Sequence, residues 1–145
     1  MAAPPIPGIL SEAGSGGGTL VEDTRAWWQE AVFYHVYLRS FADGDGDGLG
    51  DLRGLRSHLD HLAGSPGSLG VDAIWISPCF PSPDRDFGYD VADDTAIDPR
   101  LGTLQDLDDL IYAAHRRGLR VLLDLVFNHT SDEHDWFRAA RSGRE

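Results

Sequence analysis

The residues best suited to chemistry fall in three short segments. The first is Asp43-Gly44-Asp45-Gly46-Asp47-Gly48-Leu49-Gly50-Asp51. Its first, third, fifth and ninth positions are carboxylates and its sixth is Gly48, the spacing that wraps oxygen ligands around calcium. Leu49, at the seventh, offers a backbone carbonyl. Asp43, Asp45, Asp47, Leu49 and Asp51 are therefore the expected ligands of a structural calcium ion. The bidentate glutamate that closes an EF-hand is missing, since Gly54 stands at the twelfth position. No helix is expected on the N-terminal side. The segment reads as an EF-like loop on another scaffold. A solvated acidic turn without metal is the alternative, but clustered carboxylates repel one another strongly when no cation sits among them.

The second segment is Asp84-Arg85-Asp86-Phe87-Gly88-Tyr89-Asp90. Acidic and aromatic side chains side by side suit a sugar, whose ring stacks on an aromatic face while its hydroxyls donate to carboxylates. An ordinary polar loop explains the same residues. The third is Asp124-Leu125-Val126-Phe127-Asn128-His129-Thr130. Asp124 interrupts an otherwise apolar run. A buried carboxylate without a partner costs several kcal/mol, so Asp124 must pair or face a polar centre. Strand alternation places Leu122, Asp124, Val126 and Asn128 on one face. His129 then falls at the end of that strand; a satisfied structural histidine is the plainer account of a single imidazole.

Three strands and two helices are expected to position these segments. Val32 to Leu38 is β-branched and aromatic, a strand pattern. Leu52, Leu55, Leu59 and Leu62 recur at helical spacing and predict a helix over Asp51 to Ala63. Val71 to Ser77 and Leu119 to Phe127 predict the second and third strands. Between them, Thr103 with Asp106 three residues on opens a helix whose expected apolar face is Leu104, Leu107, Ile111 and Ala114. Arg116, Arg117 and Gly118 close it. The order β-α-β-α-β, with nearly continuous apolar second and third strands, predicts an α/β fold with a parallel sheet. Half of a doubly wound sheet and the opening of a (β/α)8 TIM barrel both fit, and a complete barrel needs about 250 residues. In either fold, ligands gather at the carboxyl ends of the strands.

The 145-residue chain carries a formal charge of −12. That charge argues against nucleic acid and against an anionic membrane surface. A nucleotide-binding first turn is disfavoured too, because the glycines after the first strand alternate with aspartates that repel phosphate. Cys79 is the single cysteine, so no internal disulfide forms and a cytoplasmic setting is expected. No apolar run approaches the roughly 20 residues of a membrane span. Residues 1–24, rich in proline and glycine, are expected to form a flexible tail, and residues 25–145 the folded unit.

Together these segments resemble the α-amylase superfamily, glycoside hydrolase family 13, and within it the α-glucosidase and oligo-1,6-glucosidase branch. Tyr34-His35-Val36-Tyr37-Leu38-Arg39-Ser40-Phe41 resembles that branch's first strand, and Asp43 to Gly54 its calcium loop. Trp75-Ile76-Ser77-Pro78 and Phe87-Gly88-Tyr89-Asp90 resemble the second strand and the sugar-binding loop after it. Asp124-Leu125-Val126-Phe127-Asn128-His129 resembles the family's first conserved region. Asp94 departs from the pattern, which commonly has an aromatic residue there.

The resemblance implies the first three βα units of a truncated (β/α)8 barrel, ending near the start of the family's inserted B domain. It implies that Asp86, Tyr89 and His129 hold the glucose whose bond is cleaved, with Tyr89 under the ring and Asp86 and His129 on its outer hydroxyls. Asp124 and Asn128 resemble support for that site. The catalytic carboxylates of the family lie at the ends of later strands, so the nucleophile and the acid/base are expected beyond Glu145. Asp132, Glu133 and Asp135 match none of them. The implied activity is that of a retaining α-glucosidase on short α-glucoside oligosaccharides, with this chain inactive alone. A transglycosylase or isomerase of the same family and a non-catalytic calcium-binding relative are the alternatives.

Overall fold

A computed structural model describes residues 25–143. The expected tail at residues 1–24 lies outside the described residues. So does Glu145, the residue past which the catalytic carboxylates are expected.

Three parallel strands form one sheet in the order β1-β2-β3, with β1 at Phe33–Val36, β2 at Ala73–Ile76 and β3 at Arg120–Leu123. Each is shorter than its apolar run. The third departs most: regular pairing stops at Leu123, and one further bond runs from Asp124 N–H to the Ile76 carbonyl, 3.0 Å. The alternation expected through Asn128 therefore does not extend past that point. The chain there turns away as irregular backbone, which leaves Leu125 and Phe127 exposed.

Register decides which side chains share a face. Tyr34, Ile74 and Val121 pair across the sheet, as do Val36, Ile76 and Leu123. This face packs against the helices, and Val36, Ile74 and Ile76 are completely buried. On the opposite face His35, Trp75 and Leu122 lie in line and are all exposed. The His35 and Trp75 rings stand 4.8 Å apart there.

The chain leaves β1 through a single helical turn, α1 (Leu38–Phe41). The helix expected over Asp51 to Ala63 is two helices, α2 (Leu52–Ser57) and α3 (Leu59–Leu62), broken at His58. The cause is local. The Ser57 hydroxyl donates to the Gly54 carbonyl at 2.7 Å and His58 Nδ1 lies 2.9 Å from the same oxygen. Side chains thus occupy the acceptor the next helical turn would use, and His58 N–H turns back to the Leu55 carbonyl. The four leucines still point one way: Leu52, Leu55, Leu59 and Leu62 are fully buried.

Helix α4 (Leu104–His115) begins where its cap signals place it. Thr103 and Asp106 form a reciprocal capping box, and Gly118 follows the last turn at φ +76°. Its buried stripe differs from the expected one. Leu110 is fully buried while Leu104 is 58% exposed. The helix is rotated toward Asp106, whose carboxylate accepts from Arg53 Nε on α2 at 2.8 Å. Leu107, Leu110 and Ala114 complete the core with the α2 and α3 leucines. Each fully buried leucine contributes about 1.5–3 kcal/mol. A final helix, α5 (Asp135–Arg141), is capped by His134 Nδ1, which accepts from Trp136 N–H at 3.0 Å.

Among the described residues no helix is long and apolar enough to cross a membrane.

Candidate functional site

The three polar segments all follow strands in the parallel sheet. The acidic loop leaves α1 and is folded by its own backbone. Asp43 Oδ1 accepts from Gly46 N–H at 2.6 Å and Oδ2 from Gly48 N–H at 2.8 Å. These bonds hold the Asp43 carboxyl below its ordinary value. Asp51 is buried; Oδ1 caps α2 through Gly54 N–H at 2.7 Å, and Oδ2 accepts from Gly44 N–H at 2.8 Å. Gly46 and Gly48 sit at φ +87° and +93°, where only glycine is unstrained.

One ligand oxygen each of Asp43, Asp45 and Asp51 lies within 4.8 Å of the others. An all-oxygen triad of that kind suits a hard divalent cation rather than a soft one. Asp47 lies outside that triad, its Oδ1 accepting from Leu49 N–H at 2.7 Å. Asp45 and Asp51 border a cavity of about 150 Å³ lined also by Arg53, Arg100 and Thr103.

The loop after β2 is held from within by Asp90. Its carboxylate accepts from Ser82 Oγ at 2.7 Å, Arg85 N–H at 3.0 Å and Asp86 N–H at 3.2 Å. Partial burial opposes ionisation, but these donors more than offset it and leave the Asp90 carboxyl below its usual range. Two non-glycine residues here are left-handed: Asp84 at φ +63° and Phe87 at +53°. For a residue as bulky as Phe87 such backbone costs on the order of 1–3 kcal/mol. Asp86 and Phe87 are exposed and Tyr89 is half-buried.

Tyr89 reaches the third segment. Its hydroxyl donates to Asp124 Oδ2 at 3.0 Å, which provides the partner that a half-buried strand-end carboxylate requires. Partial burial and the Asp124 carboxylate raise the Tyr89 phenol above its ordinary value, with smaller contributions from Tyr37 and Asp86. Asn128 Nδ2 donates to His129 Nδ1 at 3.2 Å, and both side chains are exposed. The two loops are stitched together farther along. Arg85 Nη1 meets both Asp132 oxygens at 2.7 Å, Arg85 Nη2 meets Glu133 at 3.1 Å, and Ser131 N–H donates to the Val91 carbonyl at 2.8 Å. Of the sugar-site residues expected from sequence, Tyr89 and Asp124 are in direct contact. Asp86 and His129 occupy the two joined loops. Asp94 stands 3.6 Å from His134 Nε2.

Sequence reasoning gave no role to Arg39, Asp90, Asp98 or Arg100, which brace the loop after β2. Arg100 is bound to Asp98 at 2.6 Å and reaches Asp84 at 3.3 Å. Burial works against the Asp98 charge, but Arg100 and the nearby Arg39 hold its carboxyl below the usual range. Cys79 is buried beneath the same loop, and burial pushes its thiol up to about 11, which makes it inert.

A parallel β-α-β-α-β sheet with its polar clusters beyond the strand ends is an α/β protein, an arrangement that barrels and doubly wound sheets share. The chain belongs to the alpha-amylase family: the family model described as "Alpha amylase, catalytic domain" matches residues 35–145. Its three βα units are the opening units of that family's parallel barrel. It is 57% identical over 126 residues to a "Probable alpha-glucosidase" of Rhizobium meliloti (strain 1021), covering 87% of this chain and 22% of the relative. It is 56% identical over 114 residues to a trehalose-6-phosphate hydrolase of Escherichia coli (strain K12), covering 79% and 20%. Its fold matches the trehalulose synthase MutB of Pseudomonas mesoacidophila MX-45 with a TM-score of 0.76 at 48% identity, covering 81% and 20%. The chain thus spans about a fifth of the length of these proteins.

Proposed function

We propose that this chain supplies the glucosyl-gripping rim and the cation loop of a retaining α-glucosidase acting on short α-glucoside oligosaccharides. Tyr89 stacks under the sugar ring, Asp86 and His129 bind its outer hydroxyls, and Asp124 and Asn128 support them. The Tyr89–Asp124 hydrogen bond carries the reading, because it joins the acidic-aromatic loop to the strand end that leads to His129. Asp124 and Asn128 act on the neighbours that would touch sugar, one by accepting from the Tyr89 phenol and the other by donating to His129.

The carboxylates that break the bond are not assigned to this chain. Retaining hydrolysis needs two carboxyl groups about 5 to 5.5 Å apart across the scissile bond, one attacking carbon and one moving the proton. Asp132 and Glu133 are engaged by Arg85, which suits a structural role.

Calcium is the cation proposed for the acidic loop. Asp43, Asp45 and Asp51 fit it as a preorganised oxygen triad, with Asp47 and the Leu49 carbonyl as further ligands. Bound there, the ion would relieve repulsion among these carboxylates and hold the loop against α2. A cytoplasmic setting belongs to the same reading, supported by the single, buried Cys79.

The test is a hybrid in which residues 27–143 replace the matching segment of the Rhizobium meliloti relative. The hybrid is expected to release glucose from maltose, and Asp86→Ala or His129→Ala to reduce kcat/KM at least a hundredfold. A folded hybrid indifferent to both substitutions would refute the proposed grip. The likeness to a trehalulose synthase supports a second reading, sugar-to-sugar transfer. Product analysis of the hybrid on sucrose separates the two: free glucose and fructose mean hydrolysis, a rearranged disaccharide means transfer.

A further inference from the structure

Arg39 has a setting that its place after β1 does not foretell. Its side chain is 5% exposed. Nη1 donates to the Pro78 carbonyl at 2.9 Å, and Nε lies 3.2 Å from Asp84 Oδ1. The Asp84 contact lacks hydrogen-bond alignment and is electrostatic, and among the described residues neither Nε nor Nη2 has a hydrogen-bond partner. The plane of the guanidinium lies against Gly88. A Cβ on Gly88 would stand 2.6 Å from Nη1, 2.8 Å from Cζ and 2.9 Å from Nη2.

One buried cation thus touches the loop after β2 at three places. Pro78 is its root, Asp84 its shoulder, and Gly88 the residue directly before Tyr89. The contact at Gly88 needs a flat group on one side and no side chain on the other, a fit an ammonium cannot reproduce. Asp84 is the carboxylate in contact with this buried charge, with Asp98 farther off, so swinging the Asp84 stretch of the loop away from Arg39 leaves the cation poorly compensated at a large cost. Burying an arginine is also a poor way merely to fill a core, since an apolar residue of similar volume does it as well or better. The strained backbone of Asp84 and Phe87 on either side of Asp86 persists where the surroundings over-determine it, and Arg39 is the buried group in contact with that stretch.

We propose that Arg39 is a positioning residue for the sugar-gripping loop: its guanidinium, clamped between the Pro78 carbonyl, Asp84 and Gly88, sets where Asp86 and Tyr89 stand. This rests on the reading of that loop as a glucosyl-binding element. Arg39 does not itself touch sugar. It acts through Gly88 on Tyr89, whose hydroxyl faces Asp124, with Tyr37 and Asp86 nearby.

The experiment uses the whole 145-residue chain labelled with 13Cζ-tyrosine, with Tyr89 titrated by NMR in the native chain, in Arg39→Lys and in Asp84→Asn. Asparagine tolerates the left-handed backbone at position 84, so the second variant removes the charge in contact with Arg39 without adding strain. The native Tyr89 is expected to titrate above the ordinary phenol value of about 10. Both variants are expected to bring it back toward that value as Tyr89 drifts from Asp124. Tyr112, exposed on α4, is expected to titrate identically in all three. Folded variants whose Tyr89 titrates as in the native chain would overturn the proposal. If Arg39→Lys loses its dispersed amide spectrum, Asp84→Asn decides. If both lose it, Arg39 serves folding in general and the proposal falls. Methyl α-glucoside added to the native chain tests the underlying reading separately. Unmoved resonances at Asp86, Tyr89 and His129 would count against the sugar grip and leave the titrations to judge Arg39.

Discussion

The Tyr89 hydroxyl and Asp124 Oδ2 meet at 3.0 Å, and that bond joins the loop after β2 to the end of β3. Tyr89→Phe keeps the ring and leaves Asp124 half-buried without its donor. The expected loss of stability is about 0.5–1.5 kcal/mol by urea denaturation. The alkaline side carries a second signature. The Tyr89 phenol is raised in the folded state, so its contribution is complete below the unfolded value near 10 and is lost as pH rises through the higher folded value. Tyr89→Phe should remove that alkaline decline. An identical pH profile in the two proteins would show that the bond does not form in solution.

Acid should weaken the start of α4. Asp106 is held down to about 2 by Arg53 and by Thr103, whose hydroxyl donates at 2.6 Å. A depressed carboxyl contributes stability above its unfolded value of 3.8 and loses it as pH falls through about 2. Urea midpoints are expected to fall steadily from pH 4 to about pH 2, and Asp106→Asn to flatten that slope. Thr103→Ala removes half of the capping box and should cost about 1 kcal/mol at neutral pH.

Two glycines of one region should respond differently to alanine. A Cβ on Gly54 falls on the Ala42 carbonyl oxygen, a backbone atom that cannot step aside. Gly54→Ala should therefore force α1 and α2 apart and destabilise by about 1–3 kcal/mol or more. Among the described residues a Cβ on Gly46 meets nothing within 4 Å, so its cost is the left-handed backbone alone, about 1–2 kcal/mol. Chemical denaturation of the two variants checks the order. A larger loss at Gly46 would contradict the close approach at Gly54.

The acidic loop gives a prediction whose sign depends on calcium. Asp45 belongs to the carboxylate triad, whereas Asp47 does not. Asp45→Ala should weaken calcium binding by about tenfold or more, since ligand charge tunes affinity, and Asp47→Ala should weaken it less. In calcium-free buffer Asp45→Ala should be neutral or stabilising, because one repelling charge has gone. Calorimetric titration and thermal melting with and without calcium read both effects. Equal losses from the two variants would point away from the triad.

The sequence made legible what depends on near neighbours. Thr103, Asp106 and Gly118 act within a few residues of themselves, and α4 starts and stops where they stand. The buried leucines of α2 and α3 were equally plain. The break at His58 was hidden because it arises from Ser57 and His58 side chains turning back on Gly54, which periodicity does not register. The orientation of α4 toward Leu110 was hidden for another reason: Leu110 is buried against the α2 and α3 leucines, some fifty residues away. At the site, the aspartates, Tyr89 and His129 stood out by type and spacing. Arg39 lay in a quoted motif yet showed no function, because its burial exists only once residues 78–88 fold back over it.

The central claim is that Asp86, Tyr89 and His129 grip one glucosyl unit. The most direct measurement is a crystal structure of the hybrid enzyme soaked with glucose. The account predicts a sugar ring lying on the Tyr89 face, with Asp86 and His129 within hydrogen-bond distance of its outer hydroxyls. A ring bound elsewhere, with these three side chains untouched, would contradict it.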